Sequence, residues 1–525
     1  MKKLFLILAF VLASAMGAVA QQVVLLHTND THSHIDADKG VGGVLQRKAM
    51  IDSIRRAEKN VILIDAGDIV QGSLYFKLFG GKVEYPLMDM LGYDVQILGN
   101  HEFDNGLNQL ARFYKRGGAA KLAANYDFTG TALEGVFDPY VIRKAGKKKI
   151  GIFGLGLDPD GMISADNCRG MKFRDIIATA DTTAALLRRK GCDMVVAVTH
   201  LGYTNDSRKP LVTDPELAAR TRGIDIIIGG HSHEQVSPAT AADRPNVVSN
   251  ADGKPVLIAQ TGRYGERLGY IRIDLSGASP AVREAALLPV AGVSPARFDR
   301  KIQSFLAPYT HIVDSINRRV IAVSAVDMPN TKQYATSVLF SNFTADAAAA
   351  YATWQLDSLA APGLPRRVDL AVMNSGGIRL PMRKGAVTEG QVLSTYPFTN
   401  HLVITRVSGE KLDSILRQAA FWGNQGVSSQ AEITLAPDGR ETAGILIDGR
   451  PIDPKRDYYV ATLDYLALGG DYMEAFAGSE VVWRDPLEWC APMMRLIVDM
   501  GHASAPIDPD PRPRFRPAAP TPSEP

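Results

Sequence analysis

VVLLHTNDTH, residues 23–32, runs an apolar, partly β-branched stretch straight into Asp30 and His32. Four more segments repeat the arrangement: VILIDAGD (61–68), VQILGNHEFD (95–104), VVAVTHLG (195–202) and DIIIGGHSH (225–233). A short apolar run rich in Val and Ile reads as a strand buried on both faces. Each run ends in Asp, Asn or His. Strand ends are where an open α/β sheet presents functional groups, because the ends are rigid and the loops beyond them vary freely. Helical patterns at 42–59 and 173–191 lie between the runs. The alternation through residues 23–275 predicts a largely parallel sheet flanked by helices.

Carboxylates, imidazoles and one carboxamide make a mixed oxygen and nitrogen donor set. It suits Zn²⁺, Mn²⁺ or Co²⁺ and speaks against a thiolate site. Of the ten histidines, five fall in the motif set: His32, His101, His200, His231 and His233. His27 and His34 are read as neighbours without a ligand role, and Glu102 as loop scaffold. His101 directly follows Asn100, so its ring is expected beside the ions. Asp104, one turn later, is placed to fix the tautomer of that ring.

The motifs Asp30-x-His32, Gly67-Asp68, Gly99-Asn100-His101-Glu102 and Gly230-His231-x-His233, with His200 between them, resemble those of the calcineurin-like metallophosphoesterases. The match is specifically to the secreted 5'-nucleotidase family, which includes periplasmic UDP-sugar hydrolases. The resemblance implies an α/β chain (α+β overall). A four-layer metallophosphoesterase β-sandwich flanked by helices is joined by a helix to a smaller α/β substrate-binding domain. It implies two divalent ions, with Asp30, His32 and His233 on one, Asn100, His200 and His231 on the other, and Asp68 bridging them. Spacing alone does not assign ligands to ions. Two such ions lower the pKa of a shared water, supply it as nucleophile and clamp the phosphoryl oxygens. The resemblance also makes His101 and Asp104 the catalytic pair, His101 stabilising the transferring phosphoryl group or protonating the leaving oxygen.

In the C-terminal half, Asn374-Ser375-Gly376-Gly377-Ile378-Arg379 is similar to the family's substrate loop. Glycine lets backbone approach an anion, and arginine offers a forked donor. Phe398 after Pro397, and Tyr465 five residues before Gly470-Asp471, resemble the pair of rings that stacks on a nucleobase and the acid that holds ribose hydroxyls. The substrate residues implied are therefore Asn374, Gly377, Arg379, Phe398, Tyr465 and Asp471. One departure stands in TKQYATSVLFSNFTADA (331–347): Lys332 and Ser341-Asn342 appear where the family carries an arginine and a Gly-Asn step.

The first twenty residues combine Lys2 and Lys3, an apolar run and Ala18-Val19-Ala20, the pattern of a signal peptide cleaved before Gln21. The expectation is an exported protein, periplasmic or extracellular. The expected organisation is a signal peptide at 1–20, a catalytic domain at 21–294, an interdomain helix at 295–319 and a substrate-binding domain at 320–502, with a proline-rich disordered tail at 503–525. On the helix, Ile302, Phe305, Leu306, Tyr309, Ile312, Val313 and Ile316 form one stripe, with Pro308 a possible kink. The formal charge of +2 vanishes once Lys2 and Lys3 are removed, leaving no footprint for a nucleic acid polymer or an anionic membrane. No stable membrane insertion is expected, and the chain is taken as a monomer or homodimer. Three cysteines, 168, 192 and 490, leave at least one without an intramolecular partner, and a Cys168–Cys192 pair stays open beside free thiols.

The function expected is release of phosphate from nucleoside 5'-monophosphates. The alternatives with the same metals are a UDP-sugar hydrolase and a 2',3'-cyclic-nucleotide phosphodiesterase. A binding protein that kept only the fold would show a broken ligand set, and none is broken. A peptide- or amide-cleaving metallohydrolase is disfavoured by the Asn ligand and the Gly-Asn-His-Glu run.

Overall fold

The computed structural model describes residues 21–204, 211–237, 246–330, 338–422, 425–436, 441–502 and 504–517. The expected signal peptide lies outside them. The chain divides into two compact units, one up to Tyr309 and one from Thr310.

In the first unit the apolar runs become two packed sheets. The first has the order Ala281–Pro289, Arg267–Asp274, Gln22–Thr28, Val61–Asp65, Val95–Gln96, Ala120–Lys121. The second runs Gln235–Val236, Pro255–Thr261, Ile226–Ile228, Met194–His200, Lys148–Gly156, Tyr140–Ala145, with Val247–Ser249 paired to Pro255–Thr261. Val23, Leu25, Ile62 and Ile64 of the first sheet pack against Ile150, Ile152, Val196 and Ile226 of the second. Period-2 alternation turns Val24, Leu26 and Leu63 to the opposite face, where they are equally buried. Helix Ile176–Arg189 covers the outer face of the second sheet through Ile176, Ala180, Ala184 and Leu187. The two packed sheets are the β-sandwich that the resemblance implies, and the largely parallel order read from the alternation holds only at their centres. Both sheets are parallel at the centre (Gln22–Thr28 with Val61–Asp65, Met194–His200 with Ile226–Ile228) and antiparallel toward an edge. Apolar runs announce burial, and burial is the same between two sheets as within one.

A turn at Pro295–Arg297 leads into helix Arg300–Arg318, which keeps Pro308 inside it. Ile302, Leu306 and Val313 are buried while Ile312 is exposed, so the buried stripe is narrower than the seven residues expected.

The second unit has a five-stranded sheet in the order Gly426–Val427, Leu370–Met373, Asp457–Leu463, His401–Ser408, Glu480–Glu488. Helix Leu339–Leu359 packs Phe340, Ala345, Ala348, Ala352 and Leu356 in a core shared with that sheet's Ala371, Ile404 and Ala461. The expected disordered tail is contradicted over 504–517, although 503 and 518–525 lie outside the described residues. Ile507 exchanges two backbone hydrogen bonds with the 323–325 segment. Phe515–Pro517 adds a parallel strand to Ala431–Leu435. Buried Arg514 donates to Asp346 at 2.8 Å and pairs with Asp510 at 3.2 Å. Proline forbids ladder donors only where it stands, and Ile507, Arg514 and Phe515 anchor the residues between. All three cysteines are free. No helix among the described residues is long and apolar enough to cross a membrane.

Candidate functional site

The five runs converge as their endings promised. Asp30 and His32 follow the strand Gln22–Thr28, Asp68 follows Val61–Asp65, and Asn100 and His101 follow Val95–Gln96. His200 closes the strand Met194–His200, and His231 and His233 follow Ile226–Ile228. Three groups each bring their ligand atoms within 4.8 Å of one another: Asp30, His32 and His233; Asp30, Asp68 and His200; His32, Asp68 and His101. Asn100 joins through Oδ1, 3.0 Å from His231 Nδ1, and the rings of His231 and His200 lie 5.3 Å apart. All seven expected ligands thus belong to one connected cluster, with Asp68 within reach of both histidine groups.

The backbone is bent to achieve this. Asp30, His32, Asp68, His231 and His233 all adopt left-handed φ, between 46° and 82°. Each such non-glycine residue costs about 1–3 kcal/mol, and strain of this kind concentrates where geometry matters. Two glycines permit the closest approach. A Cβ on Gly99 would overlap the Asp68 carboxylate, and one on Gly67 would lie 2.5 Å from the Gly99 nitrogen.

Neighbouring groups set the tautomers. His200 Nδ1 donates to the Ala66 carbonyl at 2.7 Å, and His32 Nδ1 to the Gln71 carbonyl at 3.2 Å. A neutral His200 therefore turns its Nε2 lone pair toward Asp68 Oδ2 at 3.1 Å and Asp30 Oδ1 at 4.0 Å. Lone pairs facing carboxylates demand a cation between them, a proton or a metal ion. His200 Nε2 and Asp30 Oδ1 are both buried with no hydrogen-bond partner, which is the signature of a metal seat. Without an ion, a proton on Nε2 takes that place. Burial opposes charge on His200, yet the carboxylates of Asp68 and Asp30 raise the ring to about 10. Burial likewise opposes ionisation of Asp68, but His200, His101 and His32 hold its carboxyl well below the usual range. Burial, with the neighbouring His200, depresses His231 to about 4. The donors present fit divalent ions.

His101 Nδ1 lies 3.0 Å from Asp104 Oδ2, both side chains half-buried, and the His101 amide donates to Asp68 Oδ1 at 2.9 Å. The ring stands edge-on to His32 at 5.4 Å. Glu102 accepts from the amides of Asp68, Ile69 and Gly99 at 3.0, 2.8 and 2.6 Å, so it scaffolds two ligand loops. His27 is buried with both ring nitrogens unpartnered, while His34 donates to the His32 carbonyl and stacks on Tyr264. Sequence reading missed Asn29. Its amide donates to Asp30 Oδ2 at 2.6 Å, and its Oδ1 accepts from the Thr261 amide and hydroxyl. It also missed the carbonyls of Ala66 and Gln71, since backbone acceptors carry no residue signature.

In the second unit, Asn374, Gly377, Ile378, Tyr396, Phe398 and Trp489 line a recess. The Arg379 guanidinium sits 5.7 Å from the Phe398 ring centroid. Asp471, at φ 54°, donates its amide to Tyr465 Oη at 3.0 Å and accepts from Gln425 at 3.3 Å. A Cβ on Gly376 would lie 3.3 Å from Asp471 Oδ2, so the glycine loop and Asp471 are adjacent. The residues expected to bind substrate therefore form two abutting groups, Asn374–Gly377–Arg379–Phe398 and Tyr465–Asp471. Lys332 lies outside the described residues; Ser341 and Asn342 are buried in helix Leu339–Leu359.

A sandwich of sheets with carboxylates and imidazoles gathered at its strand ends defines a metal-dependent phosphoesterase. Residues 23–235 match the calcineurin-like phosphoesterase domain, and residues 320–478 match the 5'-nucleotidase C-terminal domain. The fold is similar to that of a 5'-nucleotidase precursor from Thermus thermophilus, with TM-score 0.79 and 26% identity over 94% of this chain and 99% of that one. The 5'-nucleotidase of Homo sapiens is 26% identical over 436 residues, 78% of this chain and 73% of that protein. The trifunctional nucleotide phosphoesterase protein YfkN of Bacillus subtilis (strain 168) is 27% identical over 88% of this chain, which spans 33% of that longer protein. The chain belongs to the 5'-nucleotidase family of metal-dependent phosphoesterases.

Proposed function

We propose that the chain is an exported phosphohydrolase that holds two divalent ions and releases phosphate from nucleoside 5'-monophosphates. The observation that carries this reading is the pair of buried, unpartnered atoms, His200 Nε2 and Asp30 Oδ1, aimed into one cluster with Asp68. Asp30, His32 and His233 would hold one ion, Asn100, His200 and His231 the other, and Asp68 both. When bound, the ions would supply Lewis acidity and an activated water. His101 acts beside them. Its Nδ1 is committed to Asp104, so proton transfer to the leaving oxygen falls to Nε2. Phe398 and Tyr465 offer π faces to a base, Asp471 accepts from ribose hydroxyls, and Asn374, Gly377 and Arg379 grip the phosphate side.

The organisation proposed is a catalytic domain at 21–294, an interdomain helix at 295–319 and a substrate-binding domain from 320. Export rests on the leader pattern of residues 1–20. The test is release of inorganic phosphate from a panel of nucleotides and sugar phosphates, with elemental analysis of the same sample. Two metal equivalents and preferred turnover of 5'-monophosphates support the reading. Full turnover in metal-free protein overturns it.

A further inference from the structure

The loop after the strand Pro255–Thr261 carries Arg263 and Tyr264 to the rim of the ligand cluster. Tyr264 is a bulky residue at φ 63°, in the left-handed region that side chains avoid. Its amide donates to the Asp30 carbonyl at 2.7 Å, tying this loop to a ligand turn. Its ring stacks on His34, with centroids 3.8 Å apart and planes 20° from parallel. The same ring meets His32 at 6.0 Å and His233 at 6.4 Å. Arg263 is exposed, and its guanidinium rests 4.6 Å from the Tyr264 centroid. Among the described residues no carboxylate pairs with Arg263, so an ion pair does not explain it.

A strained backbone persists only where its surroundings over-determine it, and such positions cluster at functional sites. Here the strain holds an aromatic platform, and the platform holds a cation beside the histidines. A guanidinium presents forked donors that match the oxygens of a phosphate, and an aromatic face restrains it without consuming them.

We propose that Arg263 binds a non-bridging oxygen of the substrate's phosphoryl group at the metal centre, with Tyr264 as its positioning residue. The inference rests on the phosphohydrolase reading and adds a phosphate-binding residue to it. The contact is made to the phosphoryl group itself, so it serves every phosphate monoester whatever its leaving group.

The test uses metal-loaded full-length protein. Binding of inorganic phosphate is measured by calorimetry, and KM and kcat for AMP and p-nitrophenyl phosphate are measured in parallel. Arg263→Ala is expected to weaken phosphate binding about tenfold and raise KM for both esters about tenfold, with kcat, metal content and Tm little changed. One charge-assisted hydrogen bond has that size. Arg263→Lys keeps the charge but loses the fork, so it should recover part of the affinity. Tyr264→Ala should reproduce the loss in KM. Unchanged phosphate binding and KM in Arg263→Ala overturn the proposal. So does an equal drop in Tm for Arg263→Ala and Arg263→Lys with no recovery by lysine, which would make the residue a packing element. Failure of the wild-type protein to cleave any ester would sink the phosphohydrolase reading instead. Arginine-dependent phosphate binding would still report on Arg263.

Discussion

At the scale of single residues, the ligand cluster is held by groups that never meet an ion. Glu102 ties the Asp68 and Gly99 turns together by accepting three amides, and burial with the adjacent Asp68 raises its carboxyl to about 7. His101 is the residue whose role is most open to direct measurement. His101→Ala should leave metal content intact and cut kcat by roughly 10²–10⁴, the usual range for loss of a positioned acid. Loss of one metal equivalent would make it a ligand, an outcome its place with His32 and Asp68 makes worth measuring. A second residue tests pH dependence. Glu84 is buried, accepts from Ser33 Oγ, and burial raises its carboxyl to about 7. The folded state keeps a proton that the unfolded chain releases near 4.5, so stability due to Glu84 is full at acid pH and is lost as pH rises toward 7. Glu84→Gln should flatten the fall in stability between those values by at most about 1.4 kcal/mol per pH unit, read from urea midpoints across that range. An unchanged pH profile would show that Glu84 is ionised in the fold.

At the scale of elements, the substrate recess is built from strand ends, the turn Ser375–Gly377 and Thr344 of helix Leu339–Leu359. Phe398→Ala should lower kcat/KM for nucleotides about tenfold or more, since base stacking is worth ~1–3 kcal/mol and 1.4 kcal/mol is tenfold. p-Nitrophenyl phosphate, which needs no base pocket, should lose far less. Equal losses would return Phe398 to the core. The elements also show what was legible in the sequence and what was not. Strands ending in Asp, Asn or His could be read directly, because the apolar period and the donor residues stand side by side. The split into two mixed sheets came only through the motif resemblance and not through the apolar period, because Val24 and Leu25 are equally buried on opposite faces and burial leaves the same letters in either architecture. The 504–517 segment misleads for a different reason. Its prolines dominate the composition, while its order depends on Ile507, Arg514 and Phe515 finding partners far away in sequence. Asn29 and the Ala66 carbonyl were invisible because their function is defined by what they touch.

At the scale of the whole molecule, the cluster of buried carboxylates and imidazoles couples metal to stability. Ions that bind the native chain and not the unfolded one stabilise it by mass action, by about 2.7 kcal/mol at a hundredfold excess over Kd. Exhaustive chelation should therefore lower Tm as well as abolish hydrolysis, and adding back Zn²⁺, Mn²⁺ or Co²⁺ should restore both. A Tm indifferent to chelator would separate the cluster from metal binding.

The pairing of Gln22 with Asp274 has a consequence for biosynthesis. The strand Gln22–Thr28 sits between Arg267–Asp274 and Val61–Asp65, so the first sheet lacks one neighbour of this strand until residue 274 has left the ribosome. Pairings so distant along the chain close slowly. A growing polypeptide of this design cannot complete its first sheet until more than half of its 525 residues have been joined.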